Sequence, residues 1–323
     1  MRFRTLGRRP DATPGPAVST LCLGAMPFGT RVDEATAFAI LDRFVERGGT
    51  FVDTANCYSF WEDGGRGGES EELVGRWMTA RGNRDRIVLA TKVGAQPTGP
   101  GDWPGNAEGL SAKAVRSGVE GSLRRLGTDR VDLLYGHIED RATPLAETVG
   151  AFGELVAEGT VGIVGVSNQV TWRIERARTL AHERDLAGYS CVQQQYTYLR
   201  PKPGAAFGTK EHVTPELLDY IRAESDLTLL AYTPLLSGAY TDPAKSVPEQ
   251  FDHPGAAAQL TALREVAAET GATAGQVVLA WLLGGELPII PIIGASSIAQ
   301  LDESLDAVDL DLTPSQRDHL DQA

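Results

Sequence analysis

The run Ile87-Val88-Leu89-Ala90-Thr91-Lys92 carries four apolar residues in succession and closes on a cation. A half-exposed strand alternates apolar and polar residues, whereas an unbroken run suits a strand covered on both faces, the setting of a parallel sheet. Seven further segments read as strands, at residues 19–23, 50–53, 131–135, 162–166, 190–194, 227–231 and 289–293. Between them the period becomes helical. Ala37, Ile40, Leu41, Phe44 and Val45 fall at i, i+3, i+4, i+7 and i+8, with Asp33 placed to cap the helix and Gly48-Gly49 to end it. A second helix is predicted from Ser111, with Val115, Val119 and Leu123 on one face and Gly127 at its end, and a third carries Val149, Phe152, Leu155 and Val156 and closes at Gly159.

About eight strand-helix units thus follow one another without a Pro/Ser linker or a break in composition. Such a repeat has few solutions. The leading one is a closed (β/α)8 TIM barrel, here predicted as a single domain over residues 1–323 with long loops at the C-terminal rim. The runner-up is an open doubly wound sheet, whose first strand should lead into Gly-x-Gly-x-x-Gly, a motif the chain lacks. The long irregular stretches 56–68, 94–109, 197–213 and 236–255 all follow strands, which in a barrel is the functional rim.

Composition narrows the function. The chain has 323 residues, 42% apolar and 23% charged, the balance of a globular protein rather than a collagen or a disordered tail. Lys plus Arg total 30 against 43 Asp plus Glu, a formal charge of -13, which argues against nucleic-acid and membrane-surface partners. An anionic ligand then needs a local site. Cys22, Cys57 and Cys191 are far apart with no Cys-x-x-Cys, so neither a disulfide framework nor a zinc site is supported, and a cytoplasmic location is expected. Arg8-Arg9 precede Pro10-Asp11-Ala12-Thr13-Pro14, where a twin-arginine export signal requires an apolar run. No apolar stretch approaches the roughly 20 residues of a membrane span. His182, His212, His253 and His319 are scattered, and His137, Glu139 and Asp140 lack a paired metal-ligand spacing, so no metal is expected.

In a barrel, catalytic groups come from strand C-termini and the loops that follow. Asp53 closes the second strand, Tyr58 lies five residues later, Lys92 closes the third and His137 follows the fourth. Three consecutive strands would bring these side chains to one side of one mouth. An ammonium about 4 Å from a phenol contributes roughly 4 kcal/mol at an effective dielectric of about 20. That is about three pK units, which would bring Tyr58 from near 10 toward the working pH as a general acid. Asp53 would keep Lys92 charged and aimed, and His137 would orient a carbonyl oxygen. The set suits reduction of a C=O group. Singly, each residue has a plainer reading: a turn or cap for Asp53, loop packing for Tyr58, a solvated tip for Lys92. Their joint placement on successive strand ends favours chemistry, and Lys92 is one of only five lysines in an arginine-rich chain.

The strings Phe51-Val52-Asp53-Thr54-Ala55 leading to Tyr58, Ala90-Thr91-Lys92-Val93-Gly94, Asp132-Leu133-Leu134-Tyr135-Gly136-His137 and Gly165-Val166-Ser167-Asn168 resemble, in that order, those of the aldo-keto reductases. The resemblance runs from Leu23-Gly24 to Leu305. It implies a (β/α)8 barrel, a nicotinamide cofactor held without a Rossmann domain, and Tyr58 as acid supported by Asp53, Lys92 and His137. It further implies that Gly24, Met26 and Asp53 border the cofactor, that Ser167, Asn168 and Gln193 hold the carboxamide, and that Tyr196 stacks on the ring. By the same resemblance, Thr233-Pro234-Leu235 with Gly238 lie over the pyrophosphate, and Gly294, Ser296, Gln300 and Glu303 hold the adenosine. Read without it, Ser167-Asn168 is a helix cap and Gly294 a turn residue.

Many members read the 2′-phosphate of NADPH with a basic residue, but residues 294–304 contain no Lys or Arg and include Asp302 and Glu303. Gly294-Ala295-Ser296-Ser297 with Gln300-Leu301 and Glu303 is instead similar to the branch containing potassium-channel β subunits, which holds NADPH with polar groups. The resemblance therefore implies NADPH, with NADH as the alternative. It also leaves a second function open, a redox-sensing NADP(H)-binding regulatory subunit with little turnover. A metal-dependent barrel hydrolase or isomerase is the weakest alternative, for want of metal spacing.

Residues 59–68 form an insert with two aromatics, two acids and a glycine run. No Gly-Lys-Ser/Thr follows, which excludes a P-loop and favours a mobile lid. With Trp103 and Phe207 on other rim loops, Phe60 and Trp61 are candidates for an aromatic wall suited to a sugar face or a ring ketone, Tyr58 and His137 standing at the reacting end. The alternative is that these rings only pack the loops together. The partner is expected to be a small-molecule carbonyl compound, with a homo-oligomer left open.

Overall fold

A computed structural model describes residues 1–9, 11–287 and 289–323. Two strands, β1 (Phe3–Thr5) and β2 (Ala17–Ser19), pair antiparallel, and the eight that follow close into a barrel. These are β3 (Cys22–Gly24), β4 (Phe51–Asp53), β5 (Val88–Val93), β6 (Val131–Gly136), β7 (Val161–Ser167), β8 (Tyr189–Gln195), β9 (Thr228–Tyr232) and β10 (Ile289–Ile293). Neighbours pair in parallel around the ring in the order β10-β3-β4-β5-β6-β7-β8-β9. This is the (β/α)8 TIM barrel that the buried apolar runs imply.

One expected strand divides. Residues 19–23 were read as a single segment, yet Ser19 ends β2 and only Cys22 onward joins the barrel. The chain bends between them, where the Ser19 amide donates to Thr50 Oγ1 and the Thr50 amide to Ser19 Oγ, at 3.0 and 3.1 Å. Apolar patterning does not register such a change of pairing partner. The β1–β2 hairpin brings Leu6 and Val18 into contact with Cys22, Phe51, Leu133 and Ile290 in the barrel interior.

Helices follow the strands: α1 (Glu34–Glu46), α2 (Glu69–Arg81), α3 (Ala112–Leu126), α4 (Leu145–Ala157), α5 (Thr171–His182), α6 (Pro215–Ala223), α7 (Pro254–Thr270), α8 (Ala274–Leu283), α9 (Ile298–Asp306) and α10 (Pro314–Gln322). Asp33 caps α1 by accepting from the Thr36 amide, and Ala37, Ile40, Leu41 and Phe44 form its buried face. Gly49 has no room for a side chain, because a Cβ there would stand 2.5 Å from the Phe44 ring. Ser111 caps α3, and Gly127 ends it in the left-handed conformation at φ 63°. Between sheet and helices lies a second, larger apolar layer that includes Trp77, whose indole N–H donates to Asp42 at 2.8 Å.

Strand alternation sets up the site. On β5, Thr91 points outward and donates to the buried Glu71 of α2 at 2.5 Å, and Glu71 also accepts from Arg125 of α3 at 2.7 Å. Its neighbour Lys92 therefore points inward, to the mouth. Among the described residues, no single helix is long and apolar enough to cross a membrane.

Candidate active site

Lys92 is fully buried at the end of β5. Its ammonium donates to the Asp53 carboxylate, to the Thr54 carbonyl at 2.8 Å and to Tyr58 Oη at 2.7 Å, so all three N–H groups are used. Asp53 is also buried and accepts from Gln193 Nε2 at 2.9 Å. Neither residue takes its plainer reading: Asp53 caps nothing, and Lys92 does not reach solvent. Tyr58 Oη accepts from the ammonium, while its own hydrogen has only a long contact to Asp53, 3.4 Å away. Across the mouth the ring of His137 meets that of Tyr58 edge-on, with centroids 5.7 Å apart.

The electrostatics depart from expectation at one point. Burial, and after it the negative charge of Asp53, push the Tyr58 phenol well above its ordinary range rather than toward neutrality. The reason is local compensation. Asp53 touches Lys92, so the phenol sees a nearly neutral pair and burial decides the balance. Burial, then the charge of Lys92, drive the His137 imidazole well below its ordinary range, so it is neutral near pH 7.

The residues expected to border a dinucleotide also gather at this rim. Ser167 closes β7, and Asn168 follows with φ 54°, a conformation Asn tolerates better than most residues. Its amide nitrogen donates to the His137 carbonyl and to Ser167 Oγ, both at 3.0 Å, and its oxygen accepts from Tyr232 Oη at 2.7 Å and the Glu211 amide at 3.1 Å. The pair is not a helix cap, since α5 begins at Thr171 after an N-cap at Val170. Tyr196, partly buried, packs between Trp281 and His212. Gly24 ends β3, where a Cβ would press on Ile292 at 2.9 Å, and Met26 lies exposed just beyond.

Thr233, Pro234 and Leu235 lead into a tight turn, Leu236–Gly238, with Gly238 at φ 96°. Lys245 folds back over this turn and donates to the Ser237 carbonyl at 2.6 Å. Gly294 faces open space, with no atom of the described residues within 4 Å of where a Cβ would sit. Beyond it, Ser296 donates through both its amide and its hydroxyl to Gln300 at 2.9 Å, Ser297 caps α9, and Glu303 accepts from Thr273 at 2.7 Å. Amide and hydroxyl groups at the strand ends, an unobstructed backbone at Gly294 and the capped start of α9 suit an amide at one end of a ligand and a phosphate-bearing sugar at the other. The donor set fits a nicotinamide dinucleotide.

Three contacts here were not legible in the sequence. Asp302, counted there as a bare acid, accepts from Arg43 of α1 and from Arg47 just past its end, at 2.9 and 3.0 Å. Lys245 approaches the turn at Gly238 although it lies outside the adenosine segment. Cys57 Sγ stands 3.3 Å from His137 Nδ1.

On one side of the mouth, Phe60 packs against Trp61 and Trp103, with centroids 5.1 and 5.7 Å apart, and Trp61 meets Tyr58 at 6.3 Å. Trp61 and Trp103 remain 47% and 37% exposed, so the wall presents apolar surface outward. Phe207 does not join it. It stacks on His212 and meets Phe251 edge-on instead, because its loop follows β8, diametrically opposite β4 in the ring. The insert 59–68 is tied down by Ser59 to Thr30 at 3.0 Å, Arg31 to Glu62 at 3.1 Å and Gln96 to the Arg66 carbonyl at 2.7 Å. These contacts join the insert to the loop after β3 and to the loop after β5. Among the described residues, no group of three or more His, Cys, Asp or Glu is placed to hold a metal ion.

A buried lysine joining a carboxylate to a phenol, with a neutral histidine beside it at the mouth of a parallel barrel, is a specific arrangement, and the sequence profile described as "Aldo/keto reductase family" matches residues 20–323. The chain belongs to the aldo/keto reductase family. It is 35% identical to the uncharacterized oxidoreductase YrpG of Bacillus subtilis, over 97% of this chain and 92% of that protein. It is 34% identical to the norsolorinic acid reductase stcV of Emericella nidulans, over 94% of this chain and 77% of the relative. An aryl-alcohol dehydrogenase of Pestalotiopsis microspora is 29% identical over 95% of this chain and 80% of its own. This aldo/keto reductase is accordingly an NAD(P)H-dependent oxidoreductase of small molecules, and carbonyl reduction is its general reaction.

Proposed function

We propose that this aldo/keto reductase uses NADPH to reduce an aromatic or ring ketone or aldehyde, with Tyr58 as the general acid. The observation that carries the reading is the Lys92 ammonium, 2.7 Å from Tyr58 Oη and neutralised from behind by Asp53. When bound, a reduced nicotinamide supplies the hydride equivalent. The chain supplies the proton and the orientation. Tyr58, held protonated, gives its hydrogen to the carbonyl oxygen as negative charge develops there. A buried phenol is a weak acid, yet far stronger than the alcohol it helps to form. Lys92 already points an N–H at Oη, so charge left on that oxygen meets a cation with no rearrangement. Asp53 holds the Lys92 ammonium against the phenol, and neutral His137 steadies the carbonyl oxygen from the other side.

The assignment of Ser167, Asn168, Gln193 and Tyr196 to the nicotinamide end, and of Gly294, Ser296, Gln300 and Glu303 to the adenosine end, is part of the same reading. NADPH is favoured over NADH by the arginines over Asp302, which mask an acid that would repel a 2′-phosphate. An aromatic substrate is favoured by the wall of Phe60, Trp61 and Trp103, and by relatives whose names specify norsolorinic acid and aryl alcohols. A single domain over residues 1–323 and a cytoplasmic location complete the proposal, the latter supported by three buried, free cysteines.

The test is multiple-turnover NADPH oxidation with aryl aldehydes, ring ketones and open-chain sugars, beside a fluorescence titration of NADPH against NADH. Turnover of aryl substrates and tighter NADPH binding are expected. Preference for sugars would overturn the substrate class, and absence of any turnover would point instead to a regulatory subunit.

A further inference from the structure

Cys57 has no part in the chemistry above, yet it touches the histidine that does. It is 2% exposed and packs with Ala55, Ala95 and Ile138, and Tyr58 follows it directly in the chain. Its Sγ lies 3.3 Å from Nδ1 of His137 and is, among the described residues, the only hydrogen-bonding neighbour of that ring. The rest of His137 is fixed as well. Its amide donates to the Val93 carbonyl at 2.8 Å, its carbonyl accepts from Asn168 at 3.0 Å, and the Tyr58 ring abuts it. Burial pushes the Cys57 thiol up, so it keeps its hydrogen, while the imidazole is neutral. A neutral imidazole has one N–H and one lone pair, so the role of Nδ1 dictates the opposite role for Nε2.

We propose that Cys57 is a positioning residue: its S–H donates to Nδ1 of His137, which places the imidazole hydrogen on Nε2 and makes that nitrogen a fixed donor toward the substrate carbonyl oxygen. The other tautomer would pair Nδ1–H with sulfur, a weak acceptor, and turn a lone pair at Nε2 toward a carbonyl oxygen that needs a donor. A thiol giving its hydrogen to a ring nitrogen uses the better acceptor of the two. The inference rests on the reading of His137 as the group that steadies the carbonyl, but the tautomer itself is measurable without turnover.

The experiment is 15N NMR of the full chain labelled in histidine, with the His137 signals identified by their loss in His137→Gln. The wild-type spectrum is expected to show a protonated Nε2 and an unprotonated Nδ1. In Cys57→Ala the tautomers should mix, and kcat should fall by about 3- to 10-fold, the worth of one hydrogen bond, with NADPH affinity unchanged. Cys57→Ser, which keeps a donor, should restore the Nε2 hydrogen and most of the lost turnover. A wild-type hydrogen on Nδ1, or a Cys57→Ala spectrum identical to wild type, would overturn the proposal even if that variant were inactive. Mixed tautomers with unchanged kcat would overturn the role given to His137 and so the catalytic consequence claimed for Cys57.

Discussion

Replacing Tyr58 with Phe removes one oxygen from the site and leaves the ring that packs against His137 and Trp61. A positioned general acid contributes about 10²- to 10⁴-fold, or roughly 3–5 kcal/mol of barrier at 1.36 kcal/mol per tenfold. The structural cost should be smaller. Lys92 loses one acceptor but keeps Asp53 and Thr54, so no buried charge is left bare. The loss is one hydrogen bond to a charged donor, about 1.5–3 kcal/mol. The expected result is therefore a folded enzyme whose kcat and kcat/KM fall together by two or more orders of magnitude, with NADPH affinity within about twofold of wild type. Stopped-flow NADPH oxidation under single-turnover conditions reads the chemical step, and a fluorescence titration reads the cofactor. Retention of more than about a tenth of the single-turnover rate would refute the assignment of the acid, whatever the steady-state rate.

Lys92→Met should harm both activity and stability, since it strands the buried carboxylate of Asp53. Breaking such a pair costs about 3–5 kcal/mol, and an unchanged thermal melt would show that Asp53 is not held as described. The pH profile follows from the direction of the shifts. The proton-bearing form of Tyr58 prevails below its pKa, which lies well above 10, and His137 is neutral above a pKa well below 6.5. The reduction rate should then be nearly flat from about pH 6.5 to about pH 10, and a descending limb centred between about pH 7 and pH 9 would contradict it. Lys245→Ala, beside the turn assigned to the pyrophosphate, should weaken NADPH and NADH binding alike by about 3- to 10-fold, with the loss shrinking at high salt. Loss confined to NADPH would place Lys245 at the 2′-phosphate instead.

How much of this was legible beforehand depended on whether neighbours in sequence carry the signal. Most barrel strands announce themselves because they are buried on both faces and carry continuous apolar runs, as in residues 88–90 and Ile289–Ile293. Asp53, Lys92 and His137 stand out because strand ends are where such a fold turns its polar groups inward. The division of residues 19–23 escaped notice, because hairpin and barrel bury the same apolar side chains. Phe207 was grouped with Phe60, though strand order sets their loops on opposite sides. The direction of the Tyr58 shift was inverted, since the sequence shows that a cation is near but not that a carboxylate touches it first. Arg43 and Arg47 cover Asp302 from more than 250 positions away, a contact that only ring closure creates.

That clasp has a further consequence. The ring of strands closes where its first and last members meet, and there, among the described residues, β10 and β3 share two paired positions, Ile292 with Cys22 and Ile293 with Leu23, as few as β3 shares with β4. Arg43 of α1 and Arg47 just past its end reach from one side of this seam to Asp302 on the helix that follows the other. A molecule gripping the start of that helix would load the clasp and tighten the hoop at one of its shortest joins. Ligand occupancy and the integrity of the whole circle are then one equilibrium, and heat or denaturant should meet more resistance at the seam when the dinucleotide is present.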